Sequence, residues 1–228
     1  MNAYLYFWGK AGSVRDGEPS THPIAYHCLD VAASAEALLQ ANFRLMARLA
    51  GLLNTTEDNC RRCLVALVAL HDIGKFADSF QWKVPEAWPR QVLGEDWDGG
   101  EGRHHTEVGM VLSDRLELAA CFCPAFDNRG WSDGFAHLWA GVACHHGKPM
   151  QEMSVHALNS SIKSKAVRAA AAFLADVIKL FGPFEPLGKT GKGKIEAASW
   201  LVAGLTNVAD WIGSDRDRFP DCEPTLSL

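Results

Sequence analysis

Residues 63–76 read Cys63-Leu64-Val65-Ala66-Leu67-Val68-Ala69-Leu70-His71-Asp72-Ile73-Gly74-Lys75-Phe76. Every side chain through Leu70 is apolar, which predicts a helix buried on all its faces. His71 and Asp72 stand at the end of that run. A carboxylate carried into a core is costly unless a cation meets it. Imidazole and carboxylate are both metal-ligating groups, so a metal ion is the simplest counter-charge.

Outward from this helix, expected over 59–73, helical signals dominate. Pro23 precedes a stretch over 24–40 with Ile24, Cys28, Val31, Ala35, Leu38 and Leu39 at helical spacing. A short helix is expected over 43–53, others over about 104–120 and 133–145, the latter closed by Gly147. A long amphipathic helix is expected over 154–181, and a final apolar helix over 195–213. Residues 78–103 carry Pro85, Pro89, Gly94, Gly99, Gly100 and Gly102 and read as loop. Little reads as strand. The expected architecture is an all-α helical bundle with its metal site between core helices, forming one domain over residues 1–228.

The 228 residues, 48% of them hydrophobic, suffice for one sizeable core. A formal net charge of -5 argues against a basic coat that neutralises nucleic-acid phosphates, but not against an enzyme that meets nucleic acid through metal ions. Seven cysteines are an odd number without framework spacing. Cys60-x-x-Cys63 is the one pair with metal or redox spacing, and its helical setting favours plain core thiols. Reduced thiols suit a cytoplasmic protein. No signal peptide and no apolar run long enough to span a bilayer is expected.

Further candidate ligands follow the same pattern. His27 lies one turn into the first helix. His104 and His105 open another, in Arg103-His104-His105-Thr106-Glu107-Val108-Gly109. His145 and His146 precede Gly147, and Asp210 interrupts the apolar run Asn207-Val208-Ala209-Asp210-Trp211-Ile212-Gly213-Ser214. Taken singly, each is an ordinary helix histidine or a paired aspartate. Together they form a mixed nitrogen and oxygen set that suits Mn, Fe, Co, Ni or Zn more than Ca. The lack of a thiolate cluster argues against a closed structural zinc site.

Other features read as scaffold. Gly188-Lys189-Thr190-Gly191-Lys192-Gly193-Lys194 has P-loop glycine spacing, but Ile195 replaces the Ser/Thr and no strand precedes it. It reads as a flexible basic loop. Lys163, Lys165 and Arg168 read as a solvated helix face. Of the eight tryptophans, Trp139, Trp200 and Trp211 lie in apolar helical contexts and read as core rather than as base-stacking platforms.

The order His, His-Asp, later His residues and a distal Asp resembles the HD phosphohydrolase superfamily. The resemblance extends to Tyr26-His27-Cys28-Leu29-Asp30-Val31-Ala32-Ala33, to Ala69–Phe76 with Phe80-Gln81-x-Lys83, to His145-His146-Gly147 and to Ala209–Ser214. These runs are similar to the HD nuclease domain of the CRISPR-associated nuclease-helicase of type I systems. Phe7-Trp8-Gly9-Lys10 and the run around His27 point to the type I-E branch.

The resemblance implies that His27, His71, Asp72 and Asp210 hold one metal. Asp72 then bridges to a second, held by His105, His145 and His146. His105 is preferred over His104 because Gly109 follows it by four residues. Lys75 is expected near the scissile phosphate, and Ser214 either contacts a phosphate or orients Asp210. The implied cofactor is one or two divalent ions: Mn, Ni, Co, Fe or Mg. A bridging carboxylate can hold two metals roughly 3.5–4 Å apart, acidify water and offset developing charge on the leaving oxygen. The implied activity is metal-dependent cleavage of single-stranded DNA in antiviral defence, with a helicase domain or subunit and the Cascade surveillance complex as partners. No membrane partner is implied. An HD phosphohydrolase acting on nucleotides or cyclic nucleotides is the alternative, and a metal-binding module without turnover is a third reading. The family's full-length proteins carry a helicase that this sequence lacks, so a stand-alone subunit or an excised domain is expected.

Overall fold

A computed structural model of the chain describes residues 2–15, 18–95, 97, 99, 104–122, 131–146 and 162–222. Its architecture is all-α apart from one two-stranded antiparallel hairpin. The hairpin pairs β1 (Trp8–Arg15) with β2 (Glu18–Pro23). It is the little strand that the sequence leaves room for among the described residues. Register shifts fall between Trp8 and Lys10 and between Ala11 and Val14, so no period-two pattern survives in the sequence. Glycine and proline, both poor strand formers, occupy several of its positions.

The helices follow as α1 (Ile24–Ala41), α2 (Phe43–Leu53) and α3 (Glu57–Val68). The Asn42 side chain caps α2 by accepting from the Leu45 amide at 3.0 Å. Thr56 caps α3 at 3.2 Å, with Glu57 and Asp58 set against the positive end of the helix dipole. Short helices α4 (Asp78–Gln81) and α5 (Arg90–Leu93) interrupt the stretch read as loop. Next come α6 (His105–Arg115), α7 (Leu118–Cys121), α8 (Trp131–Ala143), α9 (Ser164–Phe181) and α10 (Lys192–Gly213). The helix expected over 104–120 is therefore two, broken where Glu117 adopts a left-handed conformation at φ 48°. Gly147 and residues 151–161 lie outside the described residues.

The apolar run is the core, as its composition implies: Leu64 through Leu70 are each at most 1% exposed. Helix α3 ends at Val68, however, and not at residue 73. From Leu70 the backbone amides bond three residues back, His71 to Val68 and Ile73 to Leu70, and a 3-10 turn covers Ile73–Phe76. This tightening carries His71 and Asp72 off the helix and into the space between α1, α6 and α10.

Helix α10 crosses both α1 and α8. Gly213 makes the first crossing possible, since a Cβ there would stand 2.8 Å from the Val31 amide nitrogen. The basic loop is anchored at its start: the Gly188 amide donates to Asn54 O at 2.9 Å, and Lys192–Lys194 already belong to α10. Trp139 is buried, but Trp200 and Trp211 are 79% and 69% exposed, which corrects their reading as core. They share one face of α10 with Gly204 and Val208, opposite the face covered by α1 and α8. Cys60 and Cys63 are buried one turn apart in α3, and burial pushes both thiols up to about 12. Among the described residues no helix is long and apolar enough to cross a membrane.

Candidate metal centre

Five elements converge on the Asp72 carboxylate. Its Oδ2 lies 3.0 Å from His27 Nε2 and 3.3 Å from His71 Nε2. Its Oδ1 lies 3.3 Å from His105 Nε2 and 3.9 Å from His145 Nε2. The two oxygens of one buried carboxylate thus face two separate groups of imidazoles. Asp210, from α10, closes the first group, with its Oδ1 3.6 Å from both His27 Nε2 and His71 Nε2. Its Oδ2 is 4.0 Å from His145 Nε2. His146 completes the second group, its Nε2 3.1 Å from that of His105.

Backbone carbonyls orient two of the rings. His71 Nδ1 donates to Val68 O and His145 Nδ1 donates to Val142 O, each at 3.0 Å and three residues back. Both bonds leave Nε2 facing the centre, as in histidines that ligate metals. His104 is turned outward: it caps α6, and its Nδ1 lies 3.0 Å from the Thr106 hydroxyl. Gly74 lets α6 approach, because a Cβ there would meet the His105 carbonyl oxygen at 1.8 Å.

Charge makes the same point. Burial pushes His27 and His105 down to about 3 and His145 down to about 4, so all three are neutral at pH 7. Burial would raise Asp72, but the Lys75 ammonium and His71 hold its carboxyl well below the usual range. Burial also resists the raising of His71, and the Asp72 and Asp210 carboxylates overcome it. The two carboxylates thus favour positive charge on His71, in the place a metal cation would occupy. His71 Nε2, His145 Nε2 and Asp72 Oδ1 are buried without a hydrogen-bond partner. Orphaned polar atoms of this kind are rare in folded proteins and mark a missing ligand. Three sets of side chains reach ion-holding separations: His27 with His71 and Asp72; His71 with His145 and Asp210; His105 with His145 and His146. The cluster is compatible with divalent metal binding.

Lys75 Nζ sits 2.6 Å from Asp72 Oδ2 and donates to Gly9 O at 3.2 Å. Ser214 Oγ donates to Asp210 Oδ1 at 3.1 Å, so in this geometry it orients the aspartate. Two supporting residues carry no role in the sequence reading. Gln81, wholly buried, donates from Nε2 to Trp8 O and Lys75 O, and its Oε1 accepts from the Trp8 amide. Lys10 Nζ donates to Gly213 O at 2.7 Å, pinning β1 to the end of α10. Both lie within runs quoted for the family resemblance, but only their tertiary contacts reveal what they do.

Residues 8–219 match the family described as Cas3, HD domain. Two curated relatives are named CRISPR-associated endonuclease/helicase Cas3. The Escherichia coli protein is 26% identical across 92% of this chain and 25% of its own length. The Thermus thermophilus protein is 29% identical across 96% of this chain and 23% of its own. The chain thus spans about a quarter of these relatives. The Thermus thermophilus Cas3 HD domain, solved in the presence of Ni²⁺, is 25% identical with a TM-score of 0.64, across 98% of this chain and 83% of that one.

Proposed function

Since this chain belongs to the Cas3 HD-domain family, we propose that it is a metal-dependent nuclease that hydrolyses single-stranded DNA in CRISPR interference. The observation that carries this reading is the two-sided presentation of Asp72, with one oxygen toward His27 and His71 and the other toward His105 and His145. His27, His71, Asp72 and Asp210 would hold one ion, and Asp72, His105, His145 and His146 a second. Mn, Ni, Co, Fe or Mg ions so bound acidify water near neutral pH and neutralise phosphate oxygens.

The chain's own residues prepare that chemistry. The depressed histidines present lone pairs at neutral pH without first losing a proton. Asp210, steered by Ser214, supplies a second negative charge at the mouth of the site. Lys75 offsets the charge that two carboxylates bring into a buried space. His146 is exposed and Asp210 partly so, which opens the centre to an extended strand. Hydrolysis then needs no protein nucleophile.

The relatives' full length, and the helicase in their names, support a helicase domain or subunit as partner. In this reading the helicase feeds the strand, the Cascade surveillance complex delivers the target, and the work is cytoplasmic. Residues 1–228 act as one HD nuclease domain, of the type I-E branch.

Incubation with circular single-stranded DNA and Mn²⁺ or Ni²⁺, with and without chelator and with nucleotides in parallel, tests the proposal. Metal-dependent nicking of the circle is expected. Nucleotide hydrolysis without nicking, or metal binding without either activity, would overturn it.

A further inference from the structure

The Phe80-Gln81-x-Lys83 run is only partly used by the centre as described. Gln81 ties the hairpin to Lys75, whereas Phe80 and Lys83 have no assigned work. Phe80 lies edge-on to the His105 ring, 5.7 Å between centroids, and tilts against Trp8 at 4.8 Å. Two ammonium groups share it: Lys83 Nζ is 4.6 Å and Lys75 Nζ 5.5 Å from its centroid.

The two lysines are in different situations. Lys75 is committed to Asp72 and to the Gly9 carbonyl. Lys83 is exposed and, among the described residues, has no acidic partner within 4.0 Å. Partial burial and then the Lys75 charge lower its pKa. The aromatic ring restrains its stem and holds the charge beside the His105 edge of the centre. An exposed ammonium at that position, next to ligands that would hold metal, suits a phosphate oxygen.

We propose that Lys83 binds a backbone phosphate of the DNA strand flanking the scissile one, with Phe80 as its rest, while Lys75 serves the Asp72 carboxylate. This rests on the nuclease reading above and makes polynucleotides better substrates than mononucleotides. Phosphate contacts position a strand without reading its sequence, so the effect should not depend on base composition.

The test compares wild type, Lys83→Ala, Lys83→Arg and the charge control Lys179→Ala, an exposed lysine on α9. Cleavage of single-stranded DNA is followed in Mn²⁺ over a range of salt, and oligothymidylate binding by fluorescence anisotropy in chelator. Lys83→Ala should raise KM about tenfold, the loss of one charged contact, with kcat within about twofold. The slope of log affinity against log salt should shrink by about 0.7, one phosphate contact on a single strand. Lys83→Arg should restore most of both, and Lys179→Ala should behave as wild type. Unchanged KM and slope in Lys83→Ala, or a fall in kcat alone, overturns the proposal. If wild type cuts no DNA, the nuclease reading fails. The anisotropy arm then still decides on Lys83, because equal oligothymidylate affinity in wild type and Lys83→Ala rejects it.

Discussion

Gly74 and His105 meet backbone to backbone: a Cβ on Gly74 would lie 1.8 Å from the His105 carbonyl oxygen and 2.6 Å from the Gly109 amide nitrogen. The turn after Asp72 and the first turn of α6 are therefore pressed together with no room for a side chain. This fixes His105 opposite Asp72 Oδ1. Gly74→Ala must push α6 outward, since neither backbone can yield alone. We expect a loss of roughly 1–3 kcal/mol in urea unfolding, the usual cost of overpacking. Metal titration should show the ion bound by His105, His145 and His146 weakened more than the one bound by His27, His71 and Asp210. Equal weakening of both would mean that Gly74 acts only on stability.

Asp72 is the buried carboxylate that lies closest to both imidazole groups, so its removal should be felt twice. Asp72→Asn keeps the shape and hydrogen-bonding reach but loses the bridging charge. Cleavage should fall by roughly 10²–10³-fold or more, the scale of losing a preorganised electrostatic group. Bound metal per chain, measured by elemental analysis, should fall with it. Retained activity in Asp72→Asn would refute the site assignment.

The residues that gather around Asp72 are legible from sequence because their chemistry is unusual for their surroundings. His71 and Asp72 end an apolar run, and Asp210 interrupts another, so each demands a partner before any fold is known. The supports are less legible. Lys10 and Gln81 act on backbone atoms far along the chain, Gly213 and Trp8, and backbone acceptors leave no trace in residue identity. The hairpin is hidden by its own irregular register, and the end of α3 by continued apolar sequence through Leu70. Trp200 and Trp211 mislead for the opposite reason: α10 is apolar on more faces than α1 and α8 cover.

Gln81 is a test of those hidden supports. Its amide makes three bonds, two to Trp8 and one to the Lys75 carbonyl, with no access to water. Gln81→Leu fills the space but leaves those backbone groups unsatisfied, at about 1–3 kcal/mol for each one that stays buried. A drop in thermal midpoint is expected, together with a lower kcat, since Lys75 and the hairpin lose their common tie. An unchanged midpoint would show that water replaces the amide at no cost.

Protons and metal compete at one position of the centre. In chelated protein His27, His105 and His145 have folded-state pKa values near 3 to 4, below the unfolded value of about 6.5. The unfolded chain binds more protons in that window, so stability falls as pH drops from about 6.5 toward 4. His71 is raised instead, so its contribution is present below about 6.5 and is lost as pH rises through its folded-state value. At pH 7 three of the centre's four buried histidines are ready to coordinate, while the raised pKa of His71 favours a proton that a metal ion must displace. Metal binding should therefore release about one proton per chain, and affinity should climb with pH above neutrality. Calorimetric titration with Mn²⁺ or Ni²⁺ in buffers of differing ionisation enthalpy measures this directly. A binding enthalpy independent of buffer would place no proton on His71, and the cation-like role assigned to it in the metal-free centre would be wrong.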